Sequence, residues 1–186
     1  MNQKKLSKIN IGAGYQKLDG IVSLDISPEC NPDYVVDIER DRFPFDDNSI
    51  DEVHAYHILE HLGEGFFHCM REIYRVCVHD AKIYISVPHP RHDTFLMDPT
   101  HRRPIMEHTL VMFSRKHNTE DIISKGKETP IGIINKVDFE LVAKKYHFDS
   151  RFDGVPEEQY EHVAMTCNNF IVAMDFILRV VKDDEQ

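Results

Sequence analysis

The stretch "INIGAGYQKLDGIVSLDIS", residues 9–27, decides the fold. It reads as a short strand over 6–12, a glycine pair at Gly12 and Gly14, and a second strand over 20–27 rich in β-branched residues. Glycine there lets the backbone take positive φ and come close to a ligand. Only seven residues separate Gly14 from Val22. A crossover between parallel strands usually needs about a dozen or more, so the usual first helix is absent or reduced to a turn. A plain turn and a solvent-facing acid would use the same letters, so the rest of the chain has to decide between them.

Outward from there, the apolar segments keep alternating between strand-like and helix-like spacing, which implies a mainly parallel sheet with covering helices. Residues 33–39 form a third strand reaching Asp37, 50–56 a fourth running into a histidine cluster, and 81–88 a fifth stopped by Pro88 and Pro90. Between the last two, Phe66, Met70, Ile73, Tyr74 and Cys77 recur at helical spacing. After a long polar stretch, 89–135, with a short helix near 107–116, two more strands are expected over 137–148 and 170–182, the last half of the latter also open to a helical reading, with a helical turn or two over 157–167. The expectation is an α/β, Rossmann-like, mostly parallel sheet of six to seven strands with a shortened first helix, in one domain of 186 residues.

Bulk properties narrow the function. The net charge is −10, from 32 acidic and 22 basic residues. Such a surface repels phosphate backbones and makes nucleic acid a poor partner. No apolar run approaches the roughly 20 residues of a membrane span, and the N-terminal residues lack an apolar signal core, so a cytoplasmic protein without a membrane partner is expected. Cys30, Cys69, Cys77 and Cys167 form no C-x-x-C pair and read as reduced thiols. The oligomeric state is left open.

In open sheets of this kind ligands bind at the carboxyl ends of the strands. Here Gly12, Asp25, Asp37, the 54–57 cluster and the 88–90 turn all fall there. Asp25 is placed to bond ribose hydroxyls at the point where strand order reverses. A dinucleotide fingerprint would want a third glycine where Lys17 stands and a full helix N-terminus under the pyrophosphate. A nucleoside without phosphates matches better, and a nicotinamide oxidoreductase is disfavoured.

Taken together, "NIGAGY", "SLDIS", "VVDIERDRFPFDDNSIDEVHAYHILEHL" and "MREIYRVCVHDAKIYISVP" resemble the class I S-adenosylmethionine-dependent methyltransferases over roughly residues 6–90. The resemblance implies S-adenosylmethionine as cofactor. It also implies that Gly12, Ala13 and Gly14 pass its methionine part, and that Asp25 holds the ribose with Ile26 beside the adenine. Asp37 would reach the adenine amino group with Ile38 as backbone partner, and His54, Ala55 and Tyr56 would line the methionine end. The chain departs from the family's usual pattern at the short first helix, at Asn10 in place of an acid, and at "CVHDA" before the fifth strand. With no first helix, Tyr15 and Lys17 are expected to close the glycine loop.

Two histidine clusters remain. His57, Glu60 and His61 spell H-x-x-E-H, an inverted zinc-peptidase pattern, and a zinc hydrolase centred on His57 and His61 is one rival function. That signature needs one long helix, whereas 50–56 reads as strand and Gly63 stops the turn beyond it, so Glu60 and His61 are expected to anchor the turn instead. The second cluster is "HPRHDTFLMDPTHRRP", 89–104. Three readings stay open for it: a proline-fixed loop whose polar groups satisfy one another; a substrate site with a histidine or Asp98 as general base and arginines clamping an anion; or a metal site from His89, His92, Asp93 or His101. The assignment taken forward places His89, His92, Asp98 and His101 on the catalytic side, assigns no metal, and makes 89–135 the substrate cover. The expected acceptor is a small molecule, sugar or peptide methylated on O or N. A non-catalytic nucleoside-binding domain is the rival from another class.

Overall fold

The computed structural model describes residues 7–123, 126 and 128–182. Seven strands form one sheet: β1 Ser7–Ile11, β2 Val22–Asp25, β3 Tyr34–Val35, β4 Ile50–Tyr56, β5 Cys77–Pro88, β6 Phe139–Phe148 and β7 Ile171–Val180. Their order is β3-β2-β1-β4-β5-β7-β6. The first five run parallel, while β7 is antiparallel to both β5 and β6. Strand order reverses at β1, which lies between β2 and β4, so a crevice opens at the carboxyl ends of these three strands.

One face of the sheet is the core. Ile9, Ile11, Val53, Ala55, Ile83, Ile85, Phe176 and Leu178 are buried there. Helix α1, Phe66–Val76, lays Phe66, Cys69, Met70, Ile73 and Val76 onto it at i, i+3, i+4, i+7, i+10 spacing. The short helices α2 Asp93–Leu96, α3 Glu107–Val111, α4 Arg115–His117 and α5 Ile131–Asn135 come after it in the chain. Phe113, between α3 and α4, meets Phe66, Phe67 and Phe139 ring to ring, which ties this segment to α1 and β6. The last helix, α6 Tyr160–Thr166, has its carboxyl end held by the Arg91 guanidinium, which donates to the carbonyls of Ala164, Met165 and Cys167. The other face of the sheet carries Lys8, Glu52, His54, Tyr84, Asp175 and Arg179, as strict alternation along each strand requires.

Three expectations are adjusted. No helix forms between Gly14 and Val22, as the spacing required, but Tyr15 is 79% exposed and does not fold over the glycine loop. The third strand shrinks to Tyr34–Val35. Beyond it the chain turns, because the Asp37 carbonyl accepts the amides of Arg40 and Asp41 and its carboxylate accepts the Glu39 amide. The fifth strand is longer than expected, starting at Cys77 directly from α1. No helix among the described residues is long and apolar enough to cross a membrane.

Candidate functional site

The glycine loop is shaped by what lies beside it. Gly12 has φ +61°, and a β-carbon there would fall 2.3–2.9 Å from three carbons of the Ile58 side chain. Gly14 has φ +52° with open space around it, and its amide donates 2.8 Å to Asp25 Oδ2. The other Asp25 oxygen accepts the Ser27 amide at 2.8 Å. Backbone donors on both oxygens fix the carboxylate plane and leave the remaining lone pairs facing outward.

These residues line a groove of about 180 Å³ with Gly12, Asp25, Ile26, Val36, Asp37, Ile38, Glu39, Ile58, His61 and Leu62 as its walls. That is smaller than the roughly 300–1,000 Å³ of a closed small-molecule site, so the groove seats one part of a ligand and the rest lies against the open surface. Five expected cofactor residues therefore share one wall: Gly12, Asp25, Ile26, Asp37 and Ile38. Ile58, His61 and Leu62 come from the 54–62 stretch expected to wall the pocket, while Val36 and Glu39 were not singled out from the sequence. Glu39 Oε2 accepts the amides of Gly63 and Gly65, both at 2.9 Å, which ties the loop after the turn to the floor of the groove.

His54, Ala55 and Tyr56 are placed elsewhere. Ala55 is buried in the core, and His54 and Tyr56 turn to the opposite face. There His54 stacks on Tyr84 and hydrogen-bonds Glu52 and Tyr56, each at 2.8 Å. Tyr56 lines a separate hollow of about 480 Å³ with Tyr84, Ser86, Lys145, Asp175 and Ile177. Burial, with Asp175 and Glu52 nearby, raises the Tyr56 pKa. A further hollow of about 740 Å³ lies at the amino end of β4 around Asn48, Arg71, Arg75 and Lys182, away from the crevice. Arg75, one of several cations lining it, is already paired with Glu72 and Asp47.

The four expected catalytic residues divide in two. His89 and His92 are structural in placement. His92 is 5% exposed; its Nδ1 accepts the Thr94 amide as the N-cap of α2, and its Nε2 lies 3.2 Å from Asp149 Oδ2. His89 Nδ1 accepts the Arg91 amide, and burial, then the nearby Arg91 and His92, lower its pKa. Two of the arginines expected to clamp an anion also serve the fold: Arg91 caps α6, and Arg103 lies 4.6 Å over the Phe66 ring while donating to the Gly63 carbonyl.

Asp98 and His101 go to the side of His61, which lines the groove. His57 ends β4 with φ +52°, its amide bonded to the Ser86 carbonyl, and a 3₁₀ turn spans Leu59–His61. The backbone carbonyl of Glu60 then accepts two amides, Arg102 at 2.8 Å and Arg103 at 3.0 Å. This pair of hydrogen bonds brings the two histidine clusters together. His61 and His101 meet ring to ring at 4.6 Å, and His101 Nε2 lies 3.7 Å from Asp98 Oδ2. The hydroxyl and amide of Thr100 bond Asp98 and lower its pKa. With His57 left-handed and outside the turn, the i, i+4 helical face of a zinc-peptidase site does not form.

Residues 16–85 match a family described as a methyltransferase domain. No curated protein matches the chain. Among solved structures, a SAM-dependent methyltransferase from Archaeoglobus fulgidus is 19% identical, with TM-score 0.61 over 95% of this chain and 87% of its own. A SAM-dependent methyltransferase from Methanosarcina mazei is 13% identical, with TM-score 0.58 over 97% and 95%. The [4+2]-cyclase SpnF is 14% identical, with TM-score 0.59 over 98% and 78%. At these identities the likeness is one of fold, and the cyclase shows that the fold serves more than one chemistry.

Proposed function

We propose that this chain, which has the class I S-adenosylmethionine-dependent methyltransferase fold and matches that methyltransferase domain over residues 16–85, binds S-adenosylmethionine and moves its methyl group to O or N of a small molecule, sugar or peptide. The observation that carries the reading is the groove at the switch point, where the fixed carboxylate of Asp25 faces Ile26, Asp37 and Ile38 across Gly12. Asp25 takes the ribose hydroxyls, the 36–38 segment takes the adenine, and the Gly12–Gly14 backbone passes the methionine part. The absence of a helix N-terminus after Gly14 suits a nucleoside without phosphates.

The sulfonium carries its own activation, so the protein's work is to align acceptor and methyl in line and to exclude water. Residues 89–104 supply that side, His101 meeting His61, itself part of the groove wall, and Asp98 lying beside His101. His89 and His92 hold the segment in shape. The test is calorimetric titration with S-adenosylmethionine and its demethylated product, in wild type and Asp25→Ala. Binding to wild type and its loss in the variant are expected. Equal binding in both would remove the site assignment, and binding without transfer to any acceptor class would favour the non-catalytic reading.

A further inference from the structure

We propose that Glu60, His61 and His101 form a binding site for one divalent transition-metal ion at the edge of the cofactor groove. The three side chains offer ligand atoms that all lie within 4.8 Å of one another. Glu60 is 1% exposed, and among the described residues neither of its carboxylate oxygens has a hydrogen-bond partner. The imidazole nitrogens nearest to Oε1 are His57 Nδ1 at 3.6 Å and His101 Nε2 at 4.0 Å, both beyond hydrogen-bond reach. A carboxylate buried without donors is costly. A metal ion is the partner that satisfies it at these separations.

The imidazoles are set up for the same role. His101 Nδ1 lies 2.9 Å from the Phe95 carbonyl, an acceptor only, so Nδ1 carries the proton and Nε2 presents its lone pair toward Glu60. The Thr100 hydroxyl donates to Asp98 Oδ1 at 2.6 Å, so its oxygen accepts from His61 Nδ1 at 2.9 Å, and His61 Nε2 is likewise the free nitrogen. Fixing Nδ1–H by an oxygen acceptor is how metal-bound histidines are commonly oriented. Two imidazoles and one carboxylate suit zinc or iron(II) and leave positions open for water or an acceptor oxygen. With bonds of about 2.1 Å, a tetrahedral site separates its donors by about 3.4 Å.

A second group, His108, His117 and Glu128, is mostly exposed, and its closest pair, His108 with Glu128, is already bonded at 2.8 Å. It serves as the control. The metal site does not depend on the methyl-transfer reading, and the two are measured separately.

The full chain is stripped with EDTA, dialysed, and titrated with Zn²⁺ by calorimetry, with S-adenosylmethionine titrated in parallel. One Zn²⁺ per chain is expected. Glu60→Gln and His101→Ala should weaken it by more than about 100-fold, beyond the usual effect of an outer-shell change. His108→Ala should leave it unchanged, and excess Mg²⁺ should not compete. Glu60→Gln preserves shape, so it decides the matter if His101→Ala fails to fold. The proposal is overturned if the stripped wild type takes up no Zn²⁺, or if folded Glu60→Gln binds it as tightly as wild type.

Discussion

Gly12→Ala tests whether the glycine loop is shaped by its backbone angle alone or also by Ile58. The left-handed conformation at φ +61° costs an L-residue roughly 1–2 kcal/mol. The new methyl would also sit 2.3 and 2.4 Å from Ile58 Cγ1 and Cδ1, and overpacking of that kind costs about 1–3 kcal/mol. The sum is about 2–5 kcal/mol against a total stability of roughly 5–15 kcal/mol. At about 2–4 °C per kcal/mol for a chain of this size, Tm should fall by about 4–20 °C. Gly14→Ala meets nothing within 4 Å, so only the conformational term, about 1–2 kcal/mol, remains. Urea unfolding of Gly12→Ala, Ile58→Ala and the double variant separates the two terms. Removing Ile58 Cγ1 and Cδ1 should return about 1–3 kcal/mol to the Gly12→Ala chain as a coupling energy. Equal costs for Gly12→Ala and Gly14→Ala, together with no coupling to Ile58, would refute the argument that Ile58 sets the loop.

Asp25→Asn keeps the shape but removes the charge that accepts the Gly14 and Ser27 amides. A charged hydrogen bond is worth about 1.5–3 kcal/mol, so calorimetry should show S-adenosylmethionine binding weakened by roughly 10–150-fold, and unchanged affinity would count against the ribose role. The side chain and then the amide of Arg151, with His92, hold Asp149 below the usual carboxylate range. A depressed folded-state pKa gives stability that is present above the unfolded value of about 3.9 and lost as pH falls. The stability margin of wild type over Asp149→Asn should therefore be full at neutral pH and shrink below about pH 4; a margin flat with pH would contradict the linkage. Burial raises the pKa of Cys69 and pushes Cys77 up to about 12. In the folded protein at pH 8 a thiol reagent should label Cys30 and Cys167 quickly and leave this buried pair until unfolding. Gly65 has an ordinary helical φ of −75°, but a β-carbon there would lie 2.3–2.6 Å from Glu39. Gly65→Ala should cost about 1–3 kcal/mol from crowding alone, and a neutral result in urea unfolding would show that Glu39 yields.

Where contacts are local, the sequence was readable. Ile9, Ile11, Val53, Ile83 and Ile85 sit in short apolar runs that report their strands directly, and the short spacing from Gly14 to Val22 foretold the missing helix. The same alternation that buries Val53 and Ala55 sends His54 and Tyr56 to the other face, which the family resemblance obscured. The meeting of Glu60 and His61 with His101 was not legible, because 40 or more residues separate them and the link is a backbone carbonyl. No side-chain pattern marks such a bond. The structural employment of His92 and Arg91 was hidden for the same reason: Asp149 and the end of α6 are distant partners.

The clasp of two amides on the Glu60 carbonyl is indifferent to which side chains it carries. If the proposed methyl-transfer reading holds, the segment 98–101 can thus be rewritten for a different acceptor while its seat beside the 59–61 turn persists. Proline at position 102 or 103 is the substitution that removes a strand of the tether. A designer seeking new acceptors has a fixed frame with exchangeable contents, and its limit of tolerance is set by two N–H groups.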